Sequence, residues 1–262
     1  MPSIHTRNRH KKTTQSKVAN RVRSTRPGEL IHTDLMGPIT PTSTGGARYS
    51  AQYVDDASRF VWAKPMKTKC EQMPYLRSLE KHLGRRRKSI HTIRSDRGGE
   101  YVSGEANKWS DETGIRLETT HANWSFENGV AERTNRTLMD VTRTMIIAAS
   151  VPKEWWGEAI NTATYVRNRS WHAAIDSTPY EKFYGTKPDI SRLKTFGCLV
   201  YFSPATLQEG RKIEVRKKKG ILMGYSDNNT LGYRIVDMDT MQIITSADTT
   251  FVEDNLPFRR HR

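Results

Sequence analysis

The chain has 262 residues and a formal net charge of +15 at pH 7, which is enough length for one large or two modest domains. A positive surplus of this size indicates a polyanionic partner, because phosphates neutralised by lysine or arginine release their condensed counterions. No apolar run approaches the ~18 residues of a membrane span, no signal-peptide core follows Met1, and two cysteines are too few for a disulfide scaffold. We therefore expect a soluble intracellular protein that binds nucleic acid and no membrane.

Residues 1–28 form a basic arm that contains no acidic residue. The arm lacks an apolar period, so we expect it to stay unordered until it meets a partner. A solvated tail, a DNA-contacting arm and a nuclear-import signal are all compatible with its composition.

A mixed α/β pattern begins at Glu29. Short β-branched or aromatic segments and helical periods predict, in order, strands over 30–36, 49–55 and 59–66, a helix over 71–88, a strand over 90–95, a helix over 102–113, a strand over 115–120 and a long helix over about 127–149. The predicted inner stripe of the long helix is Val130, Leu138, Val141, Met145 and Ile146. This order of elements is the one that ribonuclease-H-like folds use.

Beyond residue 150 the pattern changes to a connector and then to β-rich pieces. A helix is predicted from Pro152 to about Arg169, with Trp155 and Trp156 packing it against the core, and a short helix follows over 178–184. Predicted strands then cover 196–202, 219–225, 232–237 and 242–252. The predicted organisation is a basic arm over 1–28, a catalytic core over 29–150, a helical connector over 151–193, a small β-rich module over 194–255 and a basic tail over 256–262.

Three acidic residues stand where one shared site could form. Asp34 lies late in the first predicted strand, Asp96 ends the fourth, and Glu132 opens the long helix after Asn128-Gly129. Each acid alone is more often structural or solvated, but three in this order predict convergence at one sheet edge. Hard divalent cations prefer carboxylate oxygens, and two Mg²⁺ or Mn²⁺ ions about 4 Å apart can serve phosphodiester chemistry. Neither a Walker-type loop nor a dinucleotide fingerprint is present, so no nucleotide cofactor is expected.

The chain resembles the integrases of copia-type retrotransposons, within the wider retroviral integrase group. The motifs that carry the resemblance are His32-Thr33-Asp34-Leu35-Met36-Gly37-Pro38, Asp55-Asp56-Ala57-Ser58-Arg59, Asp96-Arg97-Gly98-Gly99-Glu100-Tyr101, Asn128 through Leu138, Thr178-Pro179-Tyr180-Glu181, Phe196-Gly197-Cys198, Gly224-Tyr225 and Gly232-Tyr233-Arg234. The resemblance implies a metal-dependent ribonuclease-H-like core, a β-rich C-terminal module, and Asp34, Asp96 and Glu132 as catalytic metal ligands. It also implies 3′-end processing and strand transfer of element DNA into target DNA by a homo-oligomer, in a host nucleus reached by way of cytoplasmic particles.

Two departures from the family pattern bear on activity. Relatives carry a zinc-binding His-His-Cys-Cys unit before the core, whereas here His5 and His10 precede the core and no cysteine comes before Cys70, so no zinc ligands are predicted. The loop before the long helix reads Trp124-Ser125-Phe126-Glu127-Asn128-Gly129 instead of a Pro-Gln-Gln-Asn-Gly type of run. Trp124 and Phe126 are candidates for stacking on an unpaired base, but a simple packing role is favoured over stacking.

Basic and amide side chains near the site and in the C-terminal module are candidate DNA contacts. They are Arg133, Asn135, Arg136 and Arg143 on the long helix, and Arg211, Lys212, Arg216, Lys217, Lys218 and Lys219 in the module. Asn135 could equally hold an acid by hydrogen bonding, and a charge run is often only a solvated face. Asp55, Asp56 and Glu100 are interpreted as turn-forming or supporting residues.

Two other functions remain open from the sequence. A catalytically silent, DNA-binding remnant of a retrotransposon polyprotein would keep the fold without the zinc unit. A structure-selective nuclease on the same fold is disfavoured by the long C-terminal module.

Overall fold

A computed structural model describes residues 23–86, 88–96, 104–119, 129–203, 217–226 and 232–259. Several residues discussed above lie outside these ranges. They are His5 and His10 in the arm, Glu100, the loop residues 124–128, and Arg211, Lys212 and Arg216.

The first sheet of the described chain has five strands in the order β3-β2-β1-β4-β5. The strands are β1 (Leu30–Met36), β2 (Tyr49–Asp55), β3 (Val61–Met66), β4 (Thr92–Ser95) and β5 (Arg116–Thr119). The first three pair antiparallel, and β4 and β5 run parallel to β1. Short turns suffice for the antiparallel pairs, while each parallel step needs a helical crossover. This mixed sheet is the predicted ribonuclease-H-like core.

Helices cover the sheet, and their buried positions follow the helical period. They are α1 (Gln72–Arg85), α2 (Gly104–Thr113), α3 (Gly129–Ala149), α4 (Trp156–Arg169) and α5 (Pro179–Tyr184). In α1, Leu76, Leu79 and Leu83 turn one apolar stripe into the core. None of the described helices combines the length and apolar character needed to cross a lipid bilayer.

The predicted inner stripe of α3 is wrong at Val141, which is 37% exposed. The buried side of α3 instead continues from Leu138 to Thr142 and Ala149. The predicted stripe differs by one residue because the polar residue Thr142 is buried in place of Val141. The Thr142 hydroxyl donates to the Leu138 carbonyl at 2.7 Å, which satisfies its hydrogen-bonding requirement.

The second sheet is antiparallel, and five of the described strands form it in the order β10-β6-β7-β8-β9. They are β6 (Leu199–Phe202), β7 (Lys218–Tyr225), β8 (Tyr233–Asp237), β9 (Ile243–Ser246) and β10 (Thr249–Val252). The single strand predicted over 242–252 is wrong, because β9 pairs with β8 and β10 pairs with β6 at the other edge. A single straight strand cannot pair with β8 at one edge of the sheet and with β6 at the other, so the chain bends between Ser246 and Thr249.

Helix α4 joins the two sheets. Its Asn168 side chain accepts from the Val61 amide of β3 at 2.9 Å and donates to the Val61 carbonyl at 2.7 Å. On the other sheet, the Thr162 hydroxyl donates to the Met223 carbonyl at 2.7 Å. Just before α4, Trp155 packs in a cluster with β7, and the Trp156 indole N–H donates to the Pro41 carbonyl at 2.9 Å. Trp156 therefore packs against the core as the sequence predicted, whereas Trp155 packs mainly against the second sheet.

Candidate active site

Asp34 lies on the central strand β1, on the face that α3 covers. One carboxylate oxygen, Oδ2, accepts a 2.6 Å hydrogen bond from the Asn135 side-chain amide of α3. The other, Oδ1, accepts from the Leu35 backbone amide at 2.9 Å. The carboxylate is half-buried and is held at a fixed orientation by these two donors.

Asp96 and Glu132 approach the same place from two other elements. In the parallel pairing of β1 with β4, His32 lies opposite Arg94, so the continued register brings Asp96 level with Asp34. Glu132 is in the first turn of α3, three residues before Asn135, and residues at this spacing share a helix face. Asp96 and Glu132 are both exposed.

The charges of the other two acids act on Asp34. Burial raises the pKa of Asp34, and the negative charges of Asp96 and Glu132 raise it further, while the hydrogen bonds from Leu35 and Asn135 lower it. The structure thus brings together the three acids that the sequence singled out. Their mutual repulsion is the kind that a bound cation relieves.

Three carboxylates suit a hard divalent cation by donor chemistry. Among the described residues, however, no group of three or more His, Cys, Asp or Glu side chains is arranged closely enough to hold a metal ion. The acids are gathered at one end of the sheet, and a metal site would require their side chains to close further.

A buried polar network behind β1 is a feature that the sequence analysis missed. His32, two residues before Asp34, is fully buried, and its Nε2 lies 3.3 Å from the Asp56 carboxylate. Asp56 also accepts from the Ser24 amide at 2.9 Å and from the Arg59 guanidinium at 2.8 Å. Side chains alternate along a strand, so residues 32 and 34 lie on the same face of β1, but this alternation does not reveal the partner of His32.

Asp55 has the turn-forming role that was predicted for it. It accepts from the Gly28 amide at 2.6 Å, the Ser58 amide at 2.7 Å and the Ser58 hydroxyl at 2.6 Å. These bonds close the β2–β3 turn and fix the segment that leads into β1.

The candidate DNA contacts that the structure describes differ in their availability. Arg133 and Arg136 are exposed on α3 beside Glu132, whereas Arg143 pairs with Asp140 at 2.8 Å. Asn135 is 4% exposed and donates to Asp34, which is the supporting alternative the sequence left open.

In the C-terminal module the lysine run is partly neutralised from within. Lys217 lies 3.3 Å from Asp248, and Lys218 lies 3.5 Å from Asp237 and 3.6 Å from Asp239. Lys219 is exposed and has no ion-pair partner among the described residues.

Comparison with known proteins matches both sheets to described domains. The family model of the integrase core domain matches residues 24–124, and that of the retroviral polymerase SH3-like domain matches residues 198–261. The retrovirus-related Pol polyprotein from transposon TNT 1-94 of Nicotiana tabacum is 35% identical over 233 residues, 87% of this chain and 17% of that polyprotein. The Pol polyprotein from transposon RE2 of Arabidopsis thaliana is 31% identical over 243 residues, 90% of this chain and 16% of that polyprotein.

A solved structure agrees at the level of the fold. A chain of the simian T-cell lymphotropic virus intasome in complex with PP2A regulatory subunit B56 gamma superposes with a TM-score of 0.53 at 18% identity, covering 88% of this chain and 81% of that one. The chain spans about a sixth of the length of the curated relatives it matches. The chain therefore has an integrase core domain followed by a retroviral polymerase SH3-like domain, and retrotransposon Pol polyproteins are among its relatives.

Proposed function

We propose that the chain is an integrase-type polynucleotidyl transferase that processes the 3′ ends of element DNA and joins them to target DNA. The observation that carries the proposal is the placement of the three acids: Asp96 comes level with Asp34 in the continued register of β4 with β1, Glu132 lies in the first turn of α3, and the charges of both act on Asp34. The order of an integrase core before an SH3-like module supports the same function. The proposed setting is a multimer on DNA in a host nucleus.

In this proposal Asp34, Asp96 and Glu132 are the residues that would hold two Mg²⁺ or Mn²⁺ ions. When bound, such ions lower the pKa of a nucleophilic water or hydroxyl and offset the charge that develops on the phosphate. Asn135 is a positioning residue: its side-chain amide on α3 donates to one oxygen of Asp34 and fixes the orientation of the carboxylate. Arg133 and Arg136, exposed beside Glu132, are placed to contact DNA phosphates.

The chemistry proceeds in two balanced steps. In the first, a water oxygen forms a bond to a phosphorus near the element's 3′ end, the P–O3′ bond breaks, and a free 3′ hydroxyl is left. In the second, that hydroxyl attacks a target phosphodiester, so one P–O bond forms as another breaks. The bond count is conserved, and no nucleotide cofactor is consumed.

Strand transfer of a labelled donor end into plasmid DNA, with Mg²⁺ or Mn²⁺ present, tests the proposal. We expect product from the wild type and a loss of at least about a hundredfold for Glu132→Gln, since charge stabilisation at the reacting phosphate is a large term. Asp140→Asn, an exposed acid two turns further along α3, should keep wild-type activity. Absence of product from all three proteins, with salt-sensitive DNA binding retained, would favour the silent remnant instead.

A further inference from the structure

A cavity lies at the outer edge of the first sheet, away from Asp34, Asp96 and Glu132. It has a volume of about 590 Å³ and opens between β3, α1, α4 and α5, with Ser226 after β7 at its rim. Two strands, β2 and β3, separate it in the sheet from β1, which carries Asp34. Its size is in the range of ~300–1,000 Å³ that small-molecule sites occupy.

Aromatic and cationic side chains dominate the lining of this cavity. The residues concerned are Trp62, Tyr75, Tyr165, Tyr180, Tyr184, Arg86, Arg169 and Arg192. The acidic lining residue, Asp189, accepts two hydrogen bonds from Ser191, at 2.9 Å from its amide and 2.6 Å from its hydroxyl. The cavity therefore combines a positive charge surplus with aromatic rings.

Arg169 is the residue of this cavity that most needs an anion. Its guanidinium lies 3.3 Å from the centre of the Tyr165 ring and 4.9 Å from that of Tyr180. Burial lowers the pKa of Arg169, and among the described residues it has no carboxylate at ion-pair distance. One of its N–H groups donates to the Tyr165 carbonyl at 3.1 Å, but its buried Nε–H has no acceptor in the described structure. A desolvated guanidinium that has an N–H group without an acceptor favours an oxyanion as its binding partner.

The surroundings favour nucleic acid over other phosphate carriers. Arg86, which directly follows α1, lines the cavity and lies over the Tyr184 ring at 5.3 Å. Aromatic side chains provide faces on which bases stack, regardless of sequence. A base in a duplex cannot enter a recess bounded by four elements, whereas an unpaired base can.

We propose that this cavity binds one unpaired nucleotide of a single strand, with the phosphate on Arg169 and the base against the tyrosine-rich wall. The site is separate from the acids and does not depend on their chemistry. It would hold a displaced or overhanging strand while the duplex occupies another surface.

Binding of a fluorescent oligothymidylate to the full chain tests the site. Arg169→Gln should weaken binding by about tenfold or more, and the salt slope should fall by about 0.7 for one lost phosphate contact. The matched control is Arg77→Gln on α1, an arginine that pairs with Glu105 and Glu112 outside the cavity. Equal losses for both variants would overturn the proposal, because only net charge would then matter. Binding is measured without a divalent metal ion, so this result is read independently of strand transfer.

A second measurement on the wild type covers the case in which Arg169→Gln does not fold. Photocrosslinking of a 5-iodouracil-substituted oligonucleotide should label the peptide that contains Tyr180 and Tyr184. Labelling confined to α3 or to the SH3-like module would overturn the proposal. Competition by a tyrosine-phosphorylated peptide but not by unlabelled oligothymidylate would also overturn it, in favour of a protein partner.

Discussion

At the scale of single residues, the surroundings of Asp34 disfavour its ionised form. Burial and the charges of Asp96 and Glu132 both raise its pKa, so its ionised form opposes folding at neutral pH. Asp34→Asn removes this repulsion, and rotation of the Asn135 amide can keep the two side chains hydrogen-bonded.

Two melting curves make this testable without any assay of activity. In metal-free buffer we expect Asp34→Asn to melt above the wild type, by about 2–4 °C for each kcal/mol relieved. Saturating Mn²⁺ should reverse the order, because an ion bound only by the folded wild type raises its stability. Asp140→Asn, on the exposed face of α3, should melt like the wild type both without metal and with Mn²⁺. Identical metal responses for Asp34→Asn and the wild type would contradict a metal site at Asp34.

Asp56 has the opposite electrostatic setting. Burial alone would raise its pKa, but hydrogen bonds from His32 and the Ser24 amide, together with the charge of Arg59, hold the pKa well below its ordinary value of 3.8. A carboxyl whose pKa is lowered by folding stabilises the fold above its unfolded pKa and loses that contribution as the pH falls through the folded pKa.

Asp56→Asn should therefore destabilise the protein by about 3 kcal/mol at pH 7, since it leaves His32 and Arg59 without their anion. The difference from the wild type should shrink as the pH falls below about 4, where the unfolded chain begins to protonate. Urea titrations at several pH values measure this. A pH-independent difference would mean that the Asp56 network acts by shape alone.

At the scale of elements, the contact between α4 and β7 depends on a glycine. Gly224 has a φ of +153°, and a β-carbon there would overlap the Thr162 hydroxyl oxygen of α4. That hydroxyl is already fixed by its hydrogen bond to the Met223 carbonyl. The register of β7 with β8 also shifts between Leu222 and Gly224, so the strand bulges where the helix crosses it.

Gly224→Ala should lower the free energy of unfolding by about 2 kcal/mol or more, through strain and overpacking together. The same substitution at Gly84, which has open space around it inside α1, should instead stabilise by up to about 1 kcal/mol. Chemical denaturation of both variants provides the comparison. Equal effects would show that α4 and β7 can separate without penalty.

The elements also show which parts of the fold a sequence can reveal. The strands β1 and β2 were predicted at their observed bounds, because a β-branched or aromatic run ends at a turn on both sides. The break between Ser246 and Thr249 was missed, since the pattern stays β-rich through it and only pairing with β6 and β8 separates the two strands.

For the candidate site, the sequence could identify the acids and the supporting option for Asn135, but not the buried network around His32. Asp34, Asp96 and Glu132 follow from motif and position, whereas the His32–Asp56 contact joins β1 to the end of β2 and leaves no short-range signal. The same holds for the cavity around Arg169, whose walls come from four separate elements.

At the scale of the whole molecule, the net charge of +15 is not spread evenly over available side chains. In the lysine run that opens β7, Lys217 and Lys218 face Asp248, Asp237 and Asp239, and Lys219 is exposed without an acidic partner among the described residues. A lysine that already has a carboxylate neighbour releases fewer counterions when it meets a phosphate. Net charge therefore overstates what this run can contribute to DNA binding.

The ion pairs of Lys218 and the exposure of Lys219 rank these two lysines as contacts to duplex DNA. Lys219→Ala should reduce the slope of log affinity against log salt by about 0.9, the value for one phosphate contact, while Lys218→Ala should reduce it by clearly less. Both variants change the net charge by the same amount, so each is the control for the other. Fluorescence anisotropy across a salt series measures the slopes. Equal slopes would show that DNA displaces the acidic partners of Lys218, and the SH3-like module would then engage DNA through a rearranged surface.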